Sequence, residues 1–231
     1  LIKNTDDLIT ASQYLGNEGI LKTNSFGYDG KGQFRINSKT NLFEIWEKLG
    51  SVECVLEEIL DFKREISLMY FKSIDNSDGF FPLSENYHKD GILIKTIAPA
   101  IMEQKRELDL RSNAKTLSKN LNFYGILAIE LFELNDGTII FNEIAPRPHN
   151  SFHWTIDGCD NSQFDILIRS ICGLPVKDVK NNGRWEMNNL IGEDIDHLDE
   201  IYNNQDYLLY LYGKKSTKPG RKMGHFTRQL K

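Results

Sequence analysis

The sequence is poor in cysteine: Cys54, Cys159 and Cys172 are the three in 231 residues, odd in number and scattered. That excludes a disulfide framework, and without CxxC spacing it argues against a zinc–thiolate site; reduced thiols in a cytoplasm fit better. No apolar run approaches the ~20 residues of a membrane span. A secretory leader pattern is also missing, since residues 1–20 mix polar and acidic side chains. Basic excess is absent too: the net charge is −5 and the pI about 5.6, which argues against nucleic acid or a membrane surface as partner. There is no internal repeat and no low-complexity segment. What is present, 40% hydrophobic and 26% charged residues, is ordinary for a globular protein, and the length suits one large domain or two small ones.

Periodicity and punctuation give a coarse map. Thr5 reads as the cap of a helix running to Leu15 and stopped by Gly16. A strand is expected over 19–23, a glycine-rich loop over 26–32 and extended chain over 33–36. Thr40 reads as the cap of a second helix, with Leu42, Ile45, Trp46 and Leu49 spaced for burial. Strands follow over 52–58 and 65–73, then a long polar connection from Asp75 to Gly91. A helix is expected over 102–121. Strands over 125–134 and 138–145 flank Asn135, Asp136 and Gly137, a strong hairpin signal. Ser162 caps a helix through Cys172, closed by Gly173. Beyond Val176, short strands mix with a basic loop over 214–222. Irregular alternation of helices with antiparallel strands reads as α+β, not as a doubly wound parallel sheet.

Residues 141–154, Phe-Asn-Glu-Ile-Ala-Pro-Arg-Pro-His-Asn-Ser-Phe-His-Trp, are the most informative stretch. A strand ends in a carboxylate and leads into Arg147, His149, Asn150, Ser151 and His153, while Pro146 and Pro148 forbid a helix there. Such a loop is suited to hold an anionic substrate beside a metal. If Asp136-Gly137 is a two-residue turn, Asn135 pairs with Thr138 and Glu130 faces Glu143 directly. Like charges in that position repel, and two close carboxylates raise one pKa unless a cation joins them. Two carboxylates plus substrate phosphates are the usual way to hold magnesium. The alternative is a hairpin face on which both glutamates are merely solvated; a one-residue slip would bring Glu133 or Asn142 to the face instead.

Two further segments carry charge chemistry. Gly27, Tyr28, Asp29, Gly30, Lys31, Gly32 and Gln33 follow Lys22 between two expected strands. Glycines free backbone N–H groups for phosphate oxygens and lysines add point charges; the loop is not a Walker A motif, and by spacing alone a plain turn is an equal reading. Lys214, Lys215, Lys218, Arg221 and Lys222 form a basic cluster, either a solvated hairpin or a phosphate-capturing one.

Taken in order, Ile20-Leu-Lys22, the loop 27–33, Asn142 through Ser151, Ser162-Gln-Phe164 and Arg221-Lys-Met-Gly-His225 resemble the 5-(carboxyamino)imidazole ribonucleotide synthase family of ATP-grasp enzymes. The resemblance runs along almost the whole chain, with the segment 143–151 the most specific part. It implies an ATP-grasp fold: a small lobe over 1–58, a large lobe over 59–176 and a C-terminal β-rich segment over 177–231. It implies a ligase of purine biosynthesis that uses ATP and bicarbonate to carboxylate aminoimidazole ribonucleotide, with magnesium, or alternatively manganese, as the ion. Lys22 and Lys31 would contact ATP phosphates under Gly27, Gly30, Gly32 and Gln33. Glu57 and Glu58 would border the adenine, Glu65 the ribose, and His88 would lie near the nucleotide. Glu130 and Glu143 would hold the metal with Asn142 beside them. Tyr28 and Asp29 would face the imidazole substrate and bicarbonate, Arg147, His149 and Asn150 would line the reacting centre, and Lys214 and Arg221 would take the ribonucleotide phosphate. The alternatives are a nucleotide-binding fragment without ligase activity and a ligase like the formate-using glycinamide ribonucleotide transformylase.

Some positions depart from the pattern. Phe152 stands where the family has glycine, so a ring there is expected to crowd the substrate or redirect the loop. Phe26 replaces another small residue. Family members carry an N-terminal α/β domain of roughly a hundred residues that helps bind substrate and forms a homodimer; the resemblance implies that this chain begins after it and is cut short at its C-terminal end.

Overall fold

The computed structural model describes residues 1–25 and 32–231. The chain divides into two compact units, residues 1–61 with 90–92, and residues 62–89 with 93–231.

The first unit holds α1 (Thr5–Tyr14), β1 (Gly19–Thr23), β2 (Gln33–Ile36), α2 (Leu42–Lys48) and β3 (Cys54–Glu57). Its sheet runs β2-β1-β3, with Lys22 opposite both Gln33 and Val55. Leu8, Leu21, Ile36, Trp46 and Cys54 are buried together and join the helices to the sheet. Both caps lie one residue from the expected positions. Asn4 accepts from the Asp7 N–H and Asn41 from the Glu44 N–H, so Thr5 and Thr40 are not the capping residues.

The second unit begins with β4 (Phe62–Lys72), β5 (Asp78–Phe80), β6 (Ser84–Lys89), β7 (Ile92–Ala98) and α3 (Gln104–Asn120). There follow β8 (Gly125–Leu134), β9 (Ile139–Ala145), α4 (Thr155–Gly158), α5 (Gln163–Cys172), β10 (Arg184–Ile191), α6 (Asp199–Tyr202), β11 (Leu208–Leu211) and β12 (Lys222–Leu230). One nine-stranded sheet runs β11-β12-β10-β7-β6-β4-β8-β9, with β5 added on β4. Ile66 through Phe71 are all buried or nearly so because β4 is covered on both faces. Ile66, Leu68 and Tyr70 pack with Ala114, Leu110 and Leu117 of α3. Met69 and Phe71 pack with Ile166 of α5 and with Phe152 and Trp154. Alternation along a strand sends successive side chains to the two cores.

The long polar connection expected over 75–91 is replaced by β5 and β6. The inward residues of β6 are Ser84 and Asn86, held by hydrogen bonds instead of apolar contacts. Trp154 Nε1 donates to Ser84 at 2.9 Å, Asn86 Nδ2 to Ser67 at 2.6 Å, and Thr96 Oγ1 to Asn86 Oδ1 at 3.1 Å. The α5 boundaries are as expected: Ser162 and Asp165 form a capping box, and Gly173 closes the helix at φ 66°, a left-handed conformation suited to glycine. No helix among the described residues is long and apolar enough to cross a membrane.

Candidate active site

The β8–β9 hairpin does place Glu130 opposite Glu143, by a different route from the one expected. The turn has three residues, not two. Leu134 N donates to Thr138 O and Gly137 N to Leu134 O, both at 2.9 Å, with Gly137 at φ 82°. Near the turn the register is therefore shifted by one, pairing Leu131 with Phe141. A bulge at Asn142 restores it, so that Glu130 pairs with Glu143 and Ala128 with Ala145.

Glu130 is largely buried, and its pKa is pushed up to about 7 by that burial and by the Glu143 charge, with His88 and Lys222 acting against the rise. The repulsion between the carboxylates is thus only partly offset by the chain. Beside them stands His149, whose Nε2 lies 3.5 Å from Glu130 Oε1 and whose Nδ1 lies 2.8 Å from Ser151 Oγ. Burial, then the charges of Arg147 and Lys222, pull the His149 pKa down to about 3, so the imidazole is neutral. Glu130, Glu143 and His149 offer ligand atoms that all lie within 4.8 Å of one another. Two carboxylates whose mutual repulsion raises one pKa fit a hard divalent cation. Next to them Asn150 keeps both side-chain amide atoms buried and without a partner, a costly state unless a ligand satisfies it.

The remaining candidates fall into separate groups. In the second unit His88 Nδ1 sits 2.6 Å from Glu65 Oε2, at ion-pair distance though outside hydrogen-bond geometry. Both contribute to the field at Glu130. Arg147 is exposed and donates to Pro148 O. Lys214 donates to Lys222 O, and Arg221 to Ser216 O at 3.0 Å. In the first unit Lys22 forms an ion pair with Glu57 at 2.5 Å, while Glu58 is exposed. Thr23 N donates to Gly32 O at 2.9 Å, and Gln33 pairs with Lys22. Gly27, Tyr28, Asp29, Gly30 and Lys31, with Phe26, lie outside the described residues. Phe152 is fully buried, edge-on to Phe81 at 6.2 Å, so the expected crowding is replaced by a packing role in this chain's own core.

Residues 1–164 match the model of the ATP-grasp domain. The chain belongs to the ATP-grasp family. Residues 186–229 of this ATP-grasp chain match a second model, the phosphoribosylaminoimidazole carboxylase C-terminal domain. Over 230 residues it is 40% identical to the N5-carboxyaminoimidazole ribonucleotide synthase of Brucella melitensis, covering 99% of this chain and 64% of that protein. The structure of N5-carboxyaminoimidazole synthetase from Staphylococcus aureus complexed with ADP superposes with a TM-score of 0.90 at 38% identity, over 99% of this chain and 61% of that one. The Aspergillus clavatus N5-carboxyaminoimidazole synthase in complex with ADP and 5-aminoimidazole ribonucleotide superposes at 0.81 and 28% identity, over 100% of this chain and 62% of that one. The ATP-grasp chain therefore spans a little over three-fifths of the length of these relatives.

A polar group beside the candidate site has no assigned role in the sequence. Gln163 is fully buried against the His149 backbone. His153 and His225 stack at 5.1 Å, and the Tyr212 hydroxyl lies 2.7 Å from His225 Nδ1. Burial pulls the pKa of His153 down to about 4 and of His225 to about 3. The sequence signal for this group was the pair of short motifs 162–164 and 221–225, visible as a resemblance but without an assigned chemistry.

Proposed function

We propose that the chain is the ATP-grasp part of an enzyme that carboxylates 5-aminoimidazole ribonucleotide at its exocyclic amine, using ATP and bicarbonate. The reading rests on the facing Glu130–Glu143 pair, set beside His149 and the unsatisfied Asn150 amide. Relatives named for this reaction, and a solved relative complexed with ADP and the imidazole ribonucleotide, support the substrate class.

In this reaction bicarbonate oxygen attacks the γ-phosphorus of ATP, giving carboxyphosphate and ADP. The amine then attacks the carboxyl carbon and phosphate leaves. Phosphoryl transfer asks mainly for positioning and charge neutralisation from the protein. Glu130 and Glu143 would hold magnesium or manganese, with Asn142 at the bulge beside them; such an ion, when bound, neutralises phosphate oxygens. Lys22 and Lys31 would bind phosphates under the glycine loop 27–33, Glu57 and Glu58 would border adenine, Glu65 would meet the ribose, and His88 would lie near the nucleotide. Arg147 would hold bicarbonate; neutral His149 and Asn150 would orient it and the imidazole, with Tyr28 and Asp29 facing both. Lys214 and Arg221 would take the ribonucleotide phosphate. Carboxyphosphate is labile in water, so the loop 27–33 would also serve to exclude solvent. The lobes would be residues 1–58 and 59–176, with 177–231 as a C-terminal β-rich segment, in a cytoplasmic enzyme that is homodimeric at full length.

The test is ATP hydrolysis that requires both bicarbonate and aminoimidazole ribonucleotide, measured on the chain and on the full-length protein. Hydrolysis driven by formate and glycinamide ribonucleotide would move it to the sister reaction. Tight Mg–ATP binding with no product in either form would leave a nucleotide-binding module.

A further inference from the structure

We infer that Gln163 is a positioning residue of this site, clamping the His149 backbone so that its imidazole stays beside Glu130. The inference rests on the carboxylation reading for its kinetic consequences, but the clamp itself stands on geometry. The loop after β9 carries Pro146 and Pro148 and lies outside the sheet, so the His149 backbone has no ladder partner and its polar groups need another. The Gln163 carboxamide supplies both halves. His149 N donates to Gln163 Oε1 at 2.8 Å, and Gln163 Nε2 donates to His149 O at 3.0 Å. This two-bond ring copies the pairing of a β-strand and holds His149 extended, at φ −122° and ψ 144°.

The amide cannot turn over. A flip would face its NH2 toward the His149 N–H and its oxygen toward the His149 carbonyl. The second Nε2 proton is directed at His153 Nδ1, 2.8 Å away. His153 is backed by the His225 ring, and His225 Nδ1 by the Tyr212 hydroxyl at 2.7 Å. Gln163 itself is anchored as the first residue of α5, and its N–H donates to Thr155 Oγ1 at 3.0 Å. Thr155 in turn donates to Phe152 O at 2.6 Å. A rigid helix terminus thus sets the main chain of a loop residue, and Ser151 sets the ring orientation of the same residue. A core filler of equal volume would need no amide; the match of both polar atoms to both main-chain atoms of His149 is what points to positioning.

The experiment compares Gln163→Met, which keeps the volume, and Gln163→Glu, whose protonated carboxyl keeps both the acceptor for His149 N and a donor for His149 O, assayed at the acid end of the activity range. In the full-length enzyme Gln163→Met should lower kcat about 10–100-fold, as expected for a displaced reacting group, with KM for Mg–ATP held within about twofold. Gln163→Glu should recover part of the loss. A folded Gln163→Met enzyme with kcat within about twofold of the parent, or a Gln163→Glu enzyme no better than it, overturns the inference. Ring resonances of His149 provide a readout that needs no turnover. They should shift in substrate-free Gln163→Met; if they stay put, the clamp is refuted whatever the reaction. Shifted resonances in a protein whose parent form never uses aminoimidazole ribonucleotide would uphold the clamp and sink the reaction assigned to the site.

Discussion

Strand β8 carries two glutamates taken out of water, and the chain treats them in opposite ways. Glu133 is met by three cations from two elements, β4 and α3: Arg64 Nε at 2.6 Å, Arg106 Nη1 at 3.6 Å and Lys63 Nζ at 4.0 Å. Arg64 is itself fixed, donating to Glu85 at 2.9 Å and to Ile101 O at 2.8 Å. Glu130 is instead set against a second carboxylate, Glu143, and a neutral imidazole. One buried charge is completed inside the protein and serves architecture. Among the described residues the other meets only partial compensation, from His88 and Lys222, and that shortfall is what a divalent ion with its phosphates would fill. Burial of a carboxylate is therefore not itself the mark of a site; the missing counter-charge is.

The division can be broken at its strongest point first. Glu130→Gln should cut aminoimidazole-ribonucleotide-dependent ATP turnover by about a thousandfold, since a preorganised charge at a phosphoryl centre is worth that order. Its melting temperature in EDTA at neutral pH should hold or rise, because a repulsion is removed; turnover retained within tenfold would abolish the functional half of the contrast. Arg64→Ala should do the reverse. It strands Glu133 and should cost about 3–4 kcal/mol in urea unfolding, with turnover per folded molecule preserved. A cost under 1 kcal/mol would show that Glu133 does not depend on its cations.

The smallest effect concerns pH. Glu130 has a folded pKa of about 7 against 4.5 for the free group, so the folded chain keeps a proton that the unfolded chain releases. Stability in the parent relative to Glu130→Gln should therefore fall as pH rises from about 4.5 to 7, by on the order of 2–3 kcal/mol. The depressed histidines His149, His153 and His225 act the other way: they lose stability as pH drops below 6.5 toward 3–4. Only the difference between the two proteins isolates the carboxylate. Paired thermal melts in EDTA across this range provide it, and a flat difference would mean Glu130 titrates normally.

How much of this was legible in the sequence depends on distance along the chain. The Glu130–Glu143 pairing is legible because hairpin register is local, yet the chain reaches it through two departures that offset each other, the longer turn and the bulge at Asn142. The helix caps fall one residue from the expected positions because Asn4 stands beside Thr5 and Asn41 beside Thr40. Either side chain can cap, and backbone geometry selects between them. Strand β6 was invisible because its buried face is Ser84 and Asn86, which hydrogen-bond where hydropathy looks for apolar residues. The Gln163–His149 clamp and the Arg64–Glu133 pair depend on segments brought together only by folding, and no spacing rule exposes them.

The sheet also bears on how such a chain can be inherited. Residues 62–164 of the first matched segment and residues 186–229 of the second contribute to one nine-stranded sheet, although residues 165–185 separate them along the chain. There β10 lies directly on β7, Trp185 opposite Ala98, and β12 lies on β10. A recombination event that kept the first segment and discarded the second would leave β7 with a bare edge of N–H and C=O groups, an invitation to aggregate. Exchange of the C-terminal segment between relatives would succeed only if the donor strand met Lys95 through Ala98 in the same register. The β7–β10 pairing thus makes the second matched segment part of the same sheet as residues 62–164 of the first.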